Sequence, residues 1–328
     1  MHSAPAAAVP AGRPLVEVVR SGFVESIHRG SVIALYPDGT PAVDVGATRV
    51  PVFPRSSNKP LQALAMLHAG LKVDDADLAL VAGSHTGEDV HVERVRRLLA
   101  DAGLTEDSLA CPADLPADRD ARTAAIRAGV TPSRIFMNCS GKHTGMLLAC
   151  IAAGWPTDGY VDPEHPLQQL IRSTIEDLSG EPVAAVGVDG CGAPVMALSL
   201  AGLAGAFSRL VSAASGTPQR RVADAMRAHP RLVAGTGRED TVAMDAVPGL
   251  LMKGGAEGVH AAALASGAAA AIKIDDGAVR ARMPVLTGAL VRLGVDPEAL
   301  SDLARSPVRG GGRAVGEVRL LPGAIERG

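Results

Sequence analysis

Short apolar runs alternate with polar residues over the first part of the chain. Between Val16 and Val45 these runs have the length of strands, and Pro37-Asp38-Gly39 separates two of them with a turn signal. The pattern predicts an antiparallel hairpin or meander. After Pro54 the apolar positions recur at helical spacing over residues 61–67, which predicts a helix that ends at Gly70.

Helical spacing dominates the middle of the chain, and strand-like runs return near its end. The apolar runs Leu78–Ala82 and Val183–Val188 each predict a strand. Helices are predicted at Asp89–Ala102, Asp120–Ala128, Lys142–Ala153, Pro166–Leu178, Ala193–Leu210 and Thr217–Ala228. Further strands are predicted at Leu250–Lys253, Gly258–Leu264 and Ala270–Ile274, followed by a helix at Arg282–Leu293.

Strands at both ends and helices between them predict an α/β protein of the α+β type. The terminal segments are expected to share one antiparallel sheet flanked by helices, and the helical middle is expected to form a second lobe. Residues 1–14 are rich in alanine and proline and are predicted to be a disordered tail. Residues 15–328 are predicted to form a single catalytic domain with two lobes.

Composition excludes several classes of protein. Hydrophobic residues make up 47% of the 328 residues and the net charge is −3, without a basic patch that would indicate nucleic-acid binding. No apolar run reaches the ~20 residues that a bilayer requires, and the start of the chain lacks the pattern of a secretory signal. The four cysteines are too few to form a disulfide framework in a chain of this length. We therefore expect a soluble, cytoplasmic protein with reduced thiols.

The segment Arg55-Ser56-Ser57-Asn58-Lys59-Pro60 precedes the first predicted helix and carries a possible nucleophile. Proline inside a helix clashes with the carbonyl four residues back, so helical geometry should begin at about Ser56 or Ser57. Ser56 and Lys59 are then one turn apart and can face each other. A lysine with a lowered pKa can deprotonate a serine, which makes the serine a nucleophile. On spacing alone, a helix-capping serine beside a solvated lysine is the commoner interpretation.

Three other polar segments lie where predicted elements end. Residues 83–88 read Gly-Ser-His-Thr-Gly-Glu, which suits an active-site loop and a helix cap equally well. Asp189 lies between glycines, where it either orients a lysine or a substrate ammonium or belongs to an ordinary turn. Lys253 precedes two glycines, which let a ligand or another stretch of backbone approach closely, although a solvated lysine at a hairpin has the same pattern.

The segment Asn138–Gly145 contains a Gly-Lys pair but lacks the upstream glycine and the Ser/Thr of a phosphate loop, which excludes nucleotide binding. Cys139 and His143 in this segment, with the distant Cys191, are candidate metal ligands. Their spacing matches no standard zinc pattern, and a buried inert cysteine is the commoner case. The residues alone leave the metal question open.

Taken together, the polar segments resemble the asparaginase family typified by the inducible rhizobial enzyme. That family is distinct from the threonine-dependent type I and type II bacterial asparaginases. The segments that carry the resemblance, in family order, are Arg55-Ser56-x-x-Lys59-Pro60-x-Gln62, Ser84-His85-Thr86-Gly87-Glu88, Cys139-Ser140-Gly141-Lys142-His143, Asp189-Gly190-Cys191-Gly192 and Met252-Lys253-Gly254-Gly255.

The resemblance implies a fold similar to serine β-lactamases and glutaminases, and a homodimer that binds the small molecule L-asparagine. It also implies two serine–lysine pairs, a zinc site and a set of substrate-binding residues. The implied pairs are Ser56 with Lys59 and Ser84 with Lys253; the implied zinc ligands are Cys139, Lys142 and Cys191; the implied substrate-binding residues are Arg55, His85, Glu88 and Asp189.

The resemblance therefore predicts an L-asparagine amidohydrolase that forms an acyl-enzyme on Ser56. In this scheme Lys59 takes the proton of Ser56, Ser84 relays a proton with the help of Lys253, and the roles of the two serines are exchangeable. Zinc is expected to orient substrate and loops rather than to generate hydroxide. Two alternatives remain at this point: another serine–lysine acyl hydrolase, such as a glutaminase or a β-lactamase-like or penicillin-binding protein, and a non-catalytic protein that binds zinc or a small molecule.

Overall fold

The structure of the chain is a computed structural model that describes residues 12–326. Most of the predicted N-terminal tail lies outside the described residues. The first strand already begins at Arg13, so the ordered domain starts slightly before the predicted boundary at residue 15.

Between residues 12 and 326, ten strands form two antiparallel sheets. They are β1 (Arg13–Arg20), β2 (Phe23–Leu35), β3 (Pro41–Val45), β4 (Ala185–Val188), β5 (Pro194–Ala197), β6 (Leu251–Gly254), β7 (Val259–Ala263), β8 (Ala269–Ile274), β9 (Ser306–Gly310) and β10 (Arg313–Leu320). The large sheet has the order β6-β7-β8-β2-β1-β10-β9, with β3 also paired to β2, while β4 and β5 pair separately. Strands from the two ends of the chain meet where β2 pairs with β8 and β1 with β10, which confirms the predicted sheet.

Twelve α-helices connect and cover these strands in the described part of the chain. They are α1 (Lys59–His68), α2 (Asp75–Val81), α3 (Asp89–Asp101), α4 (Arg119–Arg127), α5 (Ser140–Ala153), α6 (Pro166–Ser179), α7 (Leu200–Ser212), α8 (Pro218–Ala228), α9 (Pro230–Val233), α10 (Glu239–Ala246), α11 (Arg282–Arg292) and α12 (Ser301–Ala304). Most of them lie between β3 and β6 in sequence, as the helical middle predicted, so the mixed α/β class is confirmed.

The predicted strand at Leu78–Ala82 is wrong, because this run belongs to helix α2. Asp74 caps the helix by accepting a hydrogen bond from the backbone of Asp77. Asp75 and Asp77 also place negative charge in the first turn, where the helix dipole favours it. A short apolar run cannot distinguish a buried strand from a buried helix, and here the cap decides.

The predicted helix Ala193–Leu210 divides into strand β5 and helix α7. Ser199 separates them by accepting a hydrogen bond from the backbone of Gly202, so the helix starts only at Leu200. The hairpin of β9 and β10 has no counterpart among the predicted elements. Its turn lies in the glycine run at 310–312, and only Val308 and Val318 of its strand residues are buried, which weakens any hydrophobic pattern.

Helices cover the β6–β8 part of the large sheet. Every residue of β7 and nearly every residue of β8 is buried, so both faces of these strands are covered. Helices α7 and α11 both pack against β8. Six alanines in β7 and β8 are fully buried, and their small side chains let the helices lie close to the sheet.

Within residues 12–326, no helix combines the length and apolarity needed to cross a bilayer.

Candidate active site

A cavity of about 260 Å³ lies between the large sheet and the helical layer. Its size suits a substrate no larger than an amino acid, since pockets for drug-sized ligands measure roughly 300–1,000 Å³. Its walls are mostly polar and come from distant parts of the sequence. The residues that line it are Ser56, Ser84, Asn138, Ala234, Arg238, Glu239, Asp240, Lys253, Gly254, Gly255, Ala256, Val279 and Arg282.

Ser56 lies on a short 3₁₀ helix, Arg55–Asn58, that runs directly into α1. Pro60 lies in the first turn of α1, as predicted from its steric demands. The early amides of a helix have no acceptor within it, so the backbone N–H of Ser56 is available to a developing negative charge. The Ser56 side chain is half-buried and faces the cavity.

The strand that carries Lys253 packs directly on this 3₁₀ helix. The Ser57 hydroxyl donates to the Lys253 carbonyl over 3.0 Å. A Cβ atom on Gly255 would lie 2.5 Å from the carbonyl oxygen of Pro54, so only glycine permits the observed approach. The close backbone approach predicted for this glycine pair is confirmed, and it fixes Lys253 against the segment that carries Ser56.

Lys59 is buried and forms its hydrogen bond with the second serine. Its Nζ atom lies 2.8 Å from the Ser84 Oγ and donates to the Gly83 carbonyl over 2.6 Å. No hydrogen bond joins Lys59 to Ser56, or Lys253 to Ser84, in the described structure. The side chain of Lys59 extends beneath the 3₁₀ helix to the loop after α2, although its backbone lies one turn from Ser56.

Lys253 is buried beside a carboxylate that the sequence did not single out. Its Nζ lies 3.7 Å from Asp240 Oδ2 and donates to the Gly254 carbonyl over 2.7 Å. Asp240 also accepts hydrogen bonds from His260 Nε2 at 2.6 Å and from the Gly254 backbone at 3.0 Å. Burial, the largest effect, and nearby Lys59 lower the pKa of Lys253 to about 8, against the opposing effect of Asp240.

Asp240 keeps its negative charge at neutral pH. Burial alone would raise the pKa of its carboxyl group, but His260, Lys253 and the Gly254 amide hold that pKa well below its usual value. Lys253 therefore has a pKa near neutrality and an ionised partner, which suits a group that exchanges protons during a reaction.

Replacing Asp240 with asparagine should shift the pH–activity profile toward lower pH. The Asp240 charge favours the protonated form of Lys253, so its removal lowers the pKa of Lys253 from about 8, by about 1–3 units. Initial rates of wild type and Asp240→Asn, measured across the pH range, will show the limb of each pH–activity profile that depends on protonation of Lys253. An unchanged limb would mean that Asp240 does not act on Lys253.

His85 and Glu88 belong to hydrogen-bond networks next to the cavity rather than to its lining. His85 accepts from the Gly87 backbone at Nδ1 and donates from Nε2 to the Ser140 hydroxyl, which in turn donates to the Ile135 carbonyl. This arrangement assigns the neutral Nε2–H tautomer, and burial, the largest effect, holds the pKa of His85 well below its usual value. Its predicted contact with substrate stays a prediction.

Glu88 anchors the loop that follows α9. It accepts hydrogen bonds from the backbone and hydroxyl of Thr236 and from the Thr86 hydroxyl, and it pairs with Arg231 at 2.8 Å. Burial opposes ionisation of Glu88, but these donors together lower its pKa to about 2. The loop that Glu88 anchors continues into Arg238, Glu239 and Asp240 on the cavity wall.

Replacing Glu88 with glutamine should lower stability at neutral pH but not at low pH. The folded-state pKa of Glu88, about 2, lies below the ordinary value of ~4.3. The stabilisation from the ionised group is therefore present above that ordinary pKa and is lost as pH falls toward 2. Thermal unfolding from pH 7 to pH 2.5 should show Tm values for wild type and Glu88→Gln that converge. A constant difference across that range would contradict the assignment.

Cys139, Lys142 and Cys191 form a buried cluster next to the serine–lysine residues. The Nζ atom of Lys142 lies 3.0 Å from the sulfur of Cys191. A hydrogen bond with Cys191, together with Lys59 and Lys142, holds the pKa of Cys139 well below its usual value, and that same bond raises the pKa of Cys191. All described cysteines are free thiols, which agrees with the expected reduced state.

The donor types of this cluster fit zinc. Thiolate sulfur and a neutral amine are ligands that zinc accepts. Within residues 12–326, no group of three or more His, Cys, Asp or Glu side chains is arranged to hold a metal ion, so a site here depends on Lys142 as the third ligand. The two cysteine sulfurs raise the pKa of Lys142 against the effect of its burial, and the amine must lose its proton to bind a metal.

Arg55 and Asp189 connect the nucleophile segment to this cluster. They form an ion pair at 2.6 Å, and Asp189 Oδ2 lies 3.8 Å from the Cys191 sulfur. Arg55 has a positive φ of 52°, which is uncommon for a residue with a side chain. Both side chains lie outside the cavity lining, so their predicted contact with substrate stays a prediction.

The chain matches the sequence model of the L-asparaginase II family over residues 16–320. It belongs to the L-asparaginase II family. The match covers nearly the whole described fold, including every residue of the cavity and the cysteine cluster. Membership in the L-asparaginase II family makes the chain a hydrolase of the asparaginase type that acts on a small-molecule amide.

Other comparisons give less information on this L-asparaginase II family member. The comparison with curated proteins yields no significant match. A crystal structure described as a "putative beta-lactamase" from Bacteroides dorei DSM 17855 is 14% identical with a TM-score of 0.44, over 80% of this chain and 92% of that chain. A similarity at this level supports no argument, and the mixed α/β class follows from the strand order described above.

Proposed function

We propose that the protein hydrolyses the side-chain amide of L-asparagine to L-aspartate and ammonia. Family membership supports an asparaginase-type amidohydrolase. The observation that carries the mechanism is the 2.8 Å hydrogen bond between Lys59 and Ser84 at a small cavity that Ser56 and Lys253 also line. Serine needs an adjacent base to become a nucleophile, and the fold provides two buried amines.

In the first half-reaction, Ser56 attacks the amide carbon. The Lys59–Ser84 pair takes its proton, and the backbone N–H of Ser56 stabilises the oxyanion. The C–N bond then breaks, ammonia leaves with a proton supplied by the amines, and an aspartyl ester remains on Ser56. Lys253, with a pKa of about 8, is matched to this proton transfer near neutral pH.

In the second half-reaction, water attacks the ester and the Lys59–Ser84 pair takes the water proton. Ser56 leaves and recovers a proton, and L-aspartate is released. Asp240 favours the protonated form of Lys253, so that Lys253 regains its charge after it gives up a proton.

The proposal includes zinc at Cys139, Lys142 and Cys191. When bound, the ion would supply positive charge and rigidity next to Arg55 and Asp189, and so orient the segment that carries Ser56. The proposal also retains a homodimer and a cytoplasmic location, which follow from the resemblance and from the reduced cysteines.

Ammonia release from L-asparagine, L-glutamine and a β-lactam, assayed side by side, tests the proposed substrate. We expect release from asparagine to exceed release from glutamine. Turnover of the β-lactam in place of asparagine would indicate the other serine–lysine hydrolases. No product from any of the three would contradict a catalytic function, and metal analysis of the same protein would then test the zinc-binding alternative.

Acid-quenched samples taken during turnover, analysed by peptide mass spectrometry, test which serine carries the acyl group. The aspartyl ester is expected on the peptide that contains Ser56. An ester on the Ser84 peptide instead would reassign the nucleophile.

A further inference from the structure

The cavity contains two arginines, and they differ in what their side chains contact. Arg282, at the start of α11, is buried; it donates to the Gly255 carbonyl over 2.8 Å and pairs with Glu239 at 2.7 Å. Arg238 is exposed at the cavity wall, and its side chain makes no hydrogen bond or ion pair with any residue between 12 and 326. The guanidinium group of Arg282 thus stabilises the fold, whereas that of Arg238 is available to bind a ligand.

The charges that line the cavity lead to the same conclusion. Asp240 is matched by Lys253 at 3.7 Å, and Glu239 by Arg282 at 2.7 Å. Of the charged residues that line the cavity, Arg238 is left without a counter-charge. The cavity therefore offers one uncompensated positive charge, which complements a ligand that carries one carboxylate.

The backbone on both sides of Arg238 is firmly held. Before it, Thr236 is bound through its backbone and hydroxyl to Glu88, and Gly235 accepts a hydrogen bond from Thr241. After it, Glu239 is bound to Arg282 and Asp240 to His260. Because the backbone around Arg238 is already fixed, binding of a ligand needs to order only the Arg238 side chain.

We infer that Arg238 binds the α-carboxylate of the amino-acid substrate while the amide group lies at Ser56. This inference rests on the proposed function and names the residue that distinguishes an amino acid from a simple amide. A guanidinium binds a carboxylate through two parallel hydrogen bonds, which fixes orientation as well as position. Glu239 follows Arg238 directly, and its Oε1 atom has no hydrogen-bond partner within the described chain, so it is placed to accept from the α-ammonium group.

Two truncated substrates separate this role from a structural one. 3-Aminopropanamide is asparagine without its α-carboxylate, and succinamic acid is asparagine without its α-amine. Arg238→Ala should lower kcat/KM for asparagine and succinamic acid by about 10–150-fold, the range for losing a hydrogen-bonded charge. It should leave kcat/KM for 3-aminopropanamide within about threefold of wild type, since that substrate lacks the group that Arg238 binds.

Two further variants complete the design. Arg238→Lys keeps the charge without the bidentate geometry, so it should recover part of the loss on asparagine. Arg96→Ala removes another exposed arginine on α3, away from the cavity, and should leave all three substrates unchanged. Equal losses on asparagine and 3-aminopropanamide, or no loss on either, would overturn the assignment.

Equilibrium binding separates this inference from the proposed function. In the Ser56→Ala background, L-asparagine binding is measured by calorimetry with and without Arg238→Ala. Weaker binding in the double variant, together with a wild type that releases no ammonia, would overturn the proposed function and retain the carboxylate site. If wild type hydrolyses asparagine, and Ser56→Ala binds asparagine equally tightly with and without Arg238→Ala, the proposed function is retained and the role of Arg238 is overturned.

Discussion

Replacing Ser56 with alanine should reduce ammonia release from L-asparagine by at least about 10³-fold, because the change removes the proposed nucleophile and leaves Ser84 in its proposed role as part of the base with Lys59. The Ser56 side chain is half-buried and makes no hydrogen bond with any residue between 12 and 326, so the Tm should remain near that of wild type. Steady-state rates and thermal unfolding on the same preparation measure both quantities. Full activity in this variant would exclude Ser56 as the nucleophile.

Ser57→Ala is the matched control, because it makes the same chemical change at the adjacent residue. Ser57 is fully buried and donates to the Lys253 carbonyl over 3.0 Å. Its removal should cost about 1 kcal/mol of stability, which lowers Tm by about 2 °C in a protein of this size. The nucleophile remains, so activity should fall by much less than in Ser56→Ala. Ser56→Ala should thus lose activity but keep its Tm, whereas Ser57→Ala should keep most of its activity and lose some stability.

Replacing Lys59 with methionine should lower kcat by about 10²–10⁴-fold, the usual contribution of a general base. Methionine fills a similar volume but cannot accept the proton from a serine. Lys59→Arg provides the sharper comparison, because arginine keeps the positive charge and the donors to Gly83 and Ser84 but is not deprotonated in proteins. Both variants should therefore be inactive if Lys59 acts as a base.

An active Lys59→Arg variant would show that Lys59 contributes charge and hydrogen bonds rather than base catalysis. Because Lys59 is buried, each variant also requires a folding control by circular dichroism and thermal unfolding. Exposed Lys72, just before α2, offers a surface control: Lys72→Met should leave both kcat and Tm close to wild type.

The sheet could be predicted where strands have strong hydrophobic patterns, and it could not where they lie at an exposed edge. Strand β8 is buried on both faces, and its apolar run of alanine and isoleucine predicted it correctly. Strands β9 and β10 have only one buried residue each and contain glycine and arginine, so hydrophobic spacing does not indicate them. Helix α2 was predicted as a strand because its capping residue, Asp74, was overlooked.

The candidate site was predicted through short polar segments, and its missing members lie outside them. Ser56, Ser84 and Lys253 each belong to a segment with glycines or a helix start, and the structure brings all three to one cavity. Asp240 lies at the start of helix α10 and His260 lies in strand β7, and neither belongs to one of these segments. Their role follows only from contacts between distant residues, which one sequence does not contain. The run at residues 235–240 is rich in glycine and charged side chains, as active-site loops often are, and this signal in the sequence could have indicated Asp240.

The order of strands in the large sheet has a consequence for biosynthesis. Strand β2, complete by residue 35, has its neighbour β8 only at residues 269–274, so it remains without that partner until most of the chain has left the ribosome. The helical segment in between can form local structure first, because its contacts are closer in sequence. The cavity also needs β6, which brings Lys253, and therefore a truncated or partly translated chain contains both serines but no working site.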